Sequence, residues 1–215
     1  MRNTKELDVT SSNIPHNGDH IHPRRIWIVG VSGAGKTTLA RKVAHQLEVA
    51  HLELDAVFWQ EHWTFRDLNE AHASIRAFQA AHSPGWVMDG NWTSRLNGML
   101  TPGTPGGADV VVWLDHPRLL TMWRVITRTL KRGITQEPLW HGNTERIRGW
   151  FSTDPNHNIV LFAWRQHSAL RARWKHQAHS SPHVVRLRGR AHVSRWLSTL
   201  TPPSMHGHDH RREDT

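Results

Sequence analysis

The chain has 215 residues, with 27 Lys plus Arg against 18 Asp plus Glu and twelve tryptophans but no cysteine or tyrosine. That length suits one ordinary domain, and the missing cysteines exclude disulfides and a cysteine-based zinc site, as expected in a reducing cytoplasm. No apolar run approaches the roughly 20 residues that span a bilayer, and Met1 to Pro23 lacks the apolar core of a secretory signal, so no membrane partner is expected.

Residues 1–23 are polar and poor in apolar side chains, and so are residues 202–215 with their His206-Gly207-His208-Asp209-His210 cluster. Both read as disordered tails around a domain at 24–201. Arg25 to Val29 predicts a short buried strand. Gly30-Val31-Ser32-Gly33-Ala34-Gly35-Lys36-Thr37 follows and matches G-x-x-x-x-G-K-[ST]. Leu39, Val43 and Leu47 then recur at helical spacing. A glycine-rich turn between a strand and a helix lets successive backbone N–H groups point at one phosphate group, and the helix start adds its positive end. The candidate phosphate contacts are Gly30, Ser32, Gly33, Ala34, Gly35, Lys36, Thr37 and Thr38. Lys36 is placed to reach the β- and γ-phosphates, and the Thr37 hydroxyl to bind Mg²⁺.

A second apolar run, Val49 to Leu54, ends at Asp55. A helix is expected from Phe65 to about Ala81 with Leu68, Ile75 and Phe78 on one face, broken by Pro84-Gly85. Trp86 to Met88 reads as a third strand running into Asp89-Gly90-Asn91. After a turn cluster at Pro102 to Gly107, the continuous apolar run Asp109 to Leu114 fits a strand covered on both faces. Asp115 follows, and it reads as the N-cap of a helix over Arg118 to Arg132 whose Leu119, Leu120, Trp123, Ile126 and Leu130 face inward. Arg124 and Arg128 share another face of that helix. A long helix is expected over about Ile159 to Gln177, a fifth strand over His183 to Leu187 and a last helix from His192 to Leu200. Alternating strands and helices predict an α/β fold with a doubly wound parallel sheet of about five strands.

Residues 116–196 hold 15 Arg plus Lys against 3 acidic residues, whereas residues 1–115 hold 10 against 12. The basic half suits nucleotide phosphates, or weak and non-specific nucleic-acid contact. Trp27, Trp113 and Trp123 read as core, while Trp59, Trp63 and Trp92 lie close to Asp55 and Asp89 in the element order.

The P-loop, the Leu52-Glu53-Leu54-Asp55-Ala56-Val57-Phe58-Trp59 run, Asp89-Gly90-Asn91-Trp92 with Arg95, and Trp113-Leu114-Asp115-His116-Pro117-Arg118 resemble the bacterial P-loop proteins called DNA topology modulation proteins. More broadly the chain resembles the adenylate kinase-like group of nucleoside and metabolite kinases. This implies P-loop NTPase topology with a small helical lid at about 131–158, and ATP and Mg²⁺ as cofactors. It places Asp55 on the acceptor hydroxyl, with a helix N-cap as the other reading of that residue. It places Asp89 on Mg²⁺ through water, with an Asp-Gly turn as the alternative. Arg124 and Arg128 would clamp the transferring phosphates, and Arg188-Gly189-Arg190 would border the adenine, with Arg190 contacting the nucleotide. In the lid, Arg146 and Arg148 are further candidates.

The expected function is Mg²⁺-dependent γ-phosphoryl transfer from ATP to a small-molecule acceptor. Catalysis is assigned to Lys36, Asp55, Arg124 and Arg128, and the metal to Thr37 and Asp89. Asn91-Trp92 stands where true adenylate kinases continue with the Phe-Pro-Arg that serves an AMP-type acceptor, and Arg95 is the candidate to replace that arginine. The alternative is a nucleic-acid-associated ATPase or an ATP-binding switch, although no helix-turn-helix, zinc-finger or RNA-binding signature is present.

Overall fold

Alternation of side chains along the strands sorts the core into two halves. In β1 (Arg25–Gly30), Ile26 and Ile28 point to one face of the sheet and Trp27 and Val29 to the other. β3 (Trp86–Asp89) does the same with Val87 against Trp86 and Met88. In β4 (Val110–Leu114), Val110, Val112 and Leu114 oppose Val111 and Trp113. All these side chains are buried, so both faces are covered and the strands read as unbroken apolar runs. The computed structural model describes residues 23–136, 138–143 and 159–200, with the backbone alone at 159–163, 165 and 166.

With β2 (Ala50–Glu53) and β5 (Val184–Leu187), the strands form one five-stranded sheet in the order β2-β3-β1-β4-β5. All four pairings are parallel. The chain is thus an α/β protein with helices on both faces of the sheet. α1 (Lys36–Leu47) and α7 (Gly189–Thr199) pack on one face through Leu39, Val43, Leu47 and Trp196. α2 (Leu54–Phe58), α3 (Leu68–Ala81) and α6 (Ile159–Ser180) cover the other through Phe58, Ile75 and Trp174. Trp174 meets Trp27 edge to face at 5.5 Å. The strand order reverses at β1, with β3 on one side and β4 on the other, which is where ligands bind in open sheets of this kind. Among the described residues no helix is long and apolar enough to cross a membrane.

Several expectations are corrected. The second strand stops at Glu53, and Asp55 lies in the first turn of α2. α3 begins at Leu68 because the Asp67 side chain accepts from the N–H groups of Asn69 and Glu70, an N-cap absent from the expected start at Phe65. Its Leu68 is exposed, and Ala71 and Ile75 carry the buried face. α4 (Thr93–Leu96) is a single turn after Asn91-Trp92.

The largest reversal concerns α5 (Arg118–Thr135). Leu119 is 80% exposed and Trp123 66%, and Leu120, Leu130 and Ile134 are exposed as well. The buried face is Thr121, Met122, Val125, Thr129 and Gly133. Small and β-branched side chains are needed there because the helix lies hard against the P-loop, where a Cβ added to Gly33 would come within 2.3 Å of the Thr121 carbonyl oxygen. Trp123 is therefore not core, while Trp27 and Trp113 are. Arg146, Arg148, most of the expected lid and residues 1–22 and 201–215 lie outside the described residues.

Candidate active site

The loop between β1 and α1 takes its shape from its glycines. Gly33 (φ 77°) and Gly35 (φ 89°) adopt left-handed backbone that other residues enter at a cost. Gly35 is the N-cap of α1, so Lys36 and Thr37 open the helix with the loop amides behind them. Asn91 fixes the loop's entry. Its side-chain oxygen accepts from the Gly30 N–H at 3.0 Å and its amide donates to the Gly30 carbonyl.

Asp89 ends β3 beside the loop and is 4% exposed. One carboxylate oxygen accepts from the Thr37 hydroxyl at 2.8 Å, and the other bonds His51 Nε2 at 2.8 Å. A hydroxyl and a carboxylate next to a phosphate cradle are the oxygen donors that Mg²⁺ takes when substrate phosphates and water complete its shell, so this pair fits the metal. Among the described residues no three His, Cys, Asp or Glu side chains gather into an all-protein cage. Sequence reasoning missed His51 and the Asn91 clamp. The polar side chain at position 51 within an apolar strand was the available signal for the first.

Asp55 lies across from Lys36 in the same charge cluster as Asp89. Burial pushes its carboxyl above the usual carboxylate range, against the Lys36 charge and a 2.7 Å hydrogen bond donated by Trp92 Nε1. A carboxylate raised in this way is better matched to accepting a proton near neutral pH. Burial pulls the Lys36 ammonium below the usual lysine value, Asp55 and Asp89 pull it back, and Arg128 adds to the lowering. Bound phosphate would restore the charge, since an anion favours the protonated form.

Arg128 therefore lies close to Lys36, and Arg124 Nη1 sits 3.4 Å from the Gly33 carbonyl oxygen. The reversed seating of α5 leaves these two arginines on the loop side of the helix. Around Asp55, Trp92 stacks on Phe58 at 4.7 Å and Trp59 on Phe65 at 4.5 Å, and the Arg95 guanidinium lies 4.0 Å over the Phe65 ring. Arg190 is exposed in the first turn of α7, which begins three residues before its expected start. It is not brought to the loop by any contact described for it.

Asp115 does not cap α5, whose N-cap is Pro117 without a side-chain bond. Its buried carboxylate instead receives Arg171 Nε at 2.8 Å and the Arg186 guanidinium, with Arg188 at 4.0 Å. Burial raises its pKa, and the bonds and charges of Arg171 and Arg186 more than reverse that.

No family model matches the chain. No curated protein matches it either. Among solved structures it is similar to a shikimate kinase from Bacteroides thetaiotaomicron, with 13% identity and a TM-score of 0.46 over 83% of this chain and 96% of that one.

Two pH effects follow from this geometry. A carboxylate accepts a proton only when ionised, so if Asp55 serves as a base, activity should rise with pH along a limb set above the usual carboxylate value. Removing the Trp92 N–H takes away a bond to the charged form, so Trp92→Phe should move that limb to higher pH. A pH profile of kcat/KM checks this, and a limb that stays in place would remove Asp55 from the role of base. The second effect is on stability. Burial and neighbouring arginines lower the pKa of His116 and His167 from 6.5. As pH falls through 6.5 the unfolded chain gains protons that the folded one does not, so stability is lost from there down to the lowered folded values and is flat below them. Melting temperatures between pH 8 and 5 should show this fall, and a His167→Gln variant should flatten it.

Proposed function

We propose that the chain is an Mg²⁺- and ATP-dependent P-loop phosphotransferase acting on a small hydroxyl-bearing acceptor. The observation that carries this reading is the convergence on one loop of Lys36, the Thr37–Asp89 pair, Asp55 and the α5 arginines. The loop amides and Lys36 hold the β- and γ-phosphates of ATP. Thr37 and Asp89 hold Mg²⁺, which when bound neutralises charge between those phosphates. His51 keeps the Asp89 carboxylate turned toward Thr37. Asp55 takes the proton of the acceptor hydroxyl as that oxygen attacks the γ-phosphorus and the bond from phosphorus to the β,γ-bridging oxygen breaks, leaving ADP, and Trp92 fixes the carboxylate for this. Arg124 and Arg128 stabilise the charge on the transferring phosphoryl group. The aromatic wall of Trp59, Phe65 and Trp92 borders the acceptor side and suits a small ring or the apolar face of a sugar.

A nucleic-acid-associated ATPase draws no support from the site. Arg186 and one edge of Arg171 are bonded to Asp115, so the basic excess of this half of the chain does not form one continuous open face. The testing experiment is a thermal-shift screen of hydroxyl-bearing metabolites with Mg²⁺ and a non-hydrolysable ATP analogue, followed by ADP release with each hit. The analogue alone should raise the melting temperature, and a hit should raise it further and accelerate ADP release. No shift with the analogue would overturn the reading.

A further inference from the structure

A cleft of about 820 Å³ opens at the carboxyl ends of β4 and β5, beside the P-loop and separate from the Asp55 side. Among the described residues four cations line it, Arg118, Arg171, Lys175 and Arg188, against one carboxylate, Asp115. That carboxylate is already bonded to Arg171 and also to Arg186, so it holds the arginines in place more than it cancels the field. Two helices begin on the cleft, α5 at Arg118 and α7 at Gly189, and neither has an acidic side chain in its first turn. Their N-termini add positive potential to the same space. His116 is fixed by the Gly189 N–H, which donates to its Nδ1 at 3.2 Å, so the neutral ring presents Nε2–H as a donor.

Four cations and two helix starts supply more positive charge than stacking on a neutral ring would use, and a phosphate dianion answers that charge. We propose that this cleft binds a phosphate monoester of its own, distinct from the triphosphate on the P-loop. The phosphate arrives either as a separate anion or on the ribose of the nucleotide. Arg188 and Lys175 are exposed at its mouth and supply charge, and His116 supplies a directed hydrogen bond. Arg124 stands between the two sites, bonded to Gly33 and acting on His116.

The test is calorimetry on the full chain with inorganic phosphate, for wild type, Lys36→Ala, Lys175→Glu and the Lys175→Ala/Arg188→Ala pair, with melts alongside. Wild type should take two phosphates. Lys36→Ala should keep the cleft site, and both cleft variants should lose it by at least tenfold while keeping the P-loop site. A single site that vanishes with Lys36→Ala, or cleft variants that bind as wild type does, would overturn the proposal. Adenosine 3′,5′-bisphosphate against AMP separates the sources. A tenfold gain that Lys175→Glu erases assigns the phosphate to the nucleotide's ribose, and equal affinities assign it to a separate ligand. Because Lys36→Ala reports the P-loop independently, failure of the cleft site and failure of the kinase reading give different results.

Discussion

Lys36→Ala is expected to lower kcat/KM for Mg·ATP by roughly 10²–10³-fold, the usual loss when one preorganised donor to developing charge is removed. The fold should survive, since the ammonium's bond to the Val31 carbonyl is long, at 3.4 Å, and its charge is held against desolvation. The melting temperature should therefore stay level or rise, as when a site residue kept at a cost to stability is replaced. A second consequence distinguishes this substitution from a merely damaged loop. The Lys36 charge lowers the Asp55 pKa, so its loss should move the residual activity's acid limb to higher pH. Turnover and ATP affinity equal to wild type would sink the phosphate-site assignment.

Arg124→Ala and Arg128→Ala are each expected to cut kcat by a factor on the order of 10²–10³ with a small effect on KM, because the charge they meet develops in the transition state. Arg128→Lys should restore part of the loss, since an ammonium keeps the charge and not the two-pronged geometry. Arg124 carries a second readout. It helps lower the His116 pKa, so Arg124→Ala should raise the titration midpoint of that ring, which can be followed by NMR. Wild-type kcat in both alanine variants would show the pair to be an ordinary solvated helix face.

The P-loop, the apolar runs of β1, β3 and β4 and the carboxylate that closes β3 were legible because each rests on short-range rules: glycine conformations, apolar runs and a polar residue at a strand end. α5 was legible as a helix with two distinct faces and was read the wrong way round. Its amphipathic pattern is strong, but a pattern assigns a direction only if bulk marks the inside. Here closeness to Gly33 demands small side chains on the buried side, and Leu119 and Trp123 are turned out. Asp115 failed for a related reason. An aspartate before a helix is a good cap in isolation, and only the tertiary approach of Arg171 and Arg186, 56 and 71 residues away, gives its oxygens better partners. The links from His51 to Asp89 and from Trp92 to Asp55 join separate elements, so no local pattern announces them.

Asn91 holds its place by backbone pairing alone. Its amide meets both the N–H and the carbonyl of Gly30, one as acceptor and one as donor. Aspartate would match its shape and set an oxygen against an oxygen, and leucine would satisfy neither group. The position should tolerate almost no exchange for reasons of backbone pairing alone. Replacing Asn91 should thus loosen the loop's entry even with no ligand bound, which sets it apart from Lys36 and Asp89.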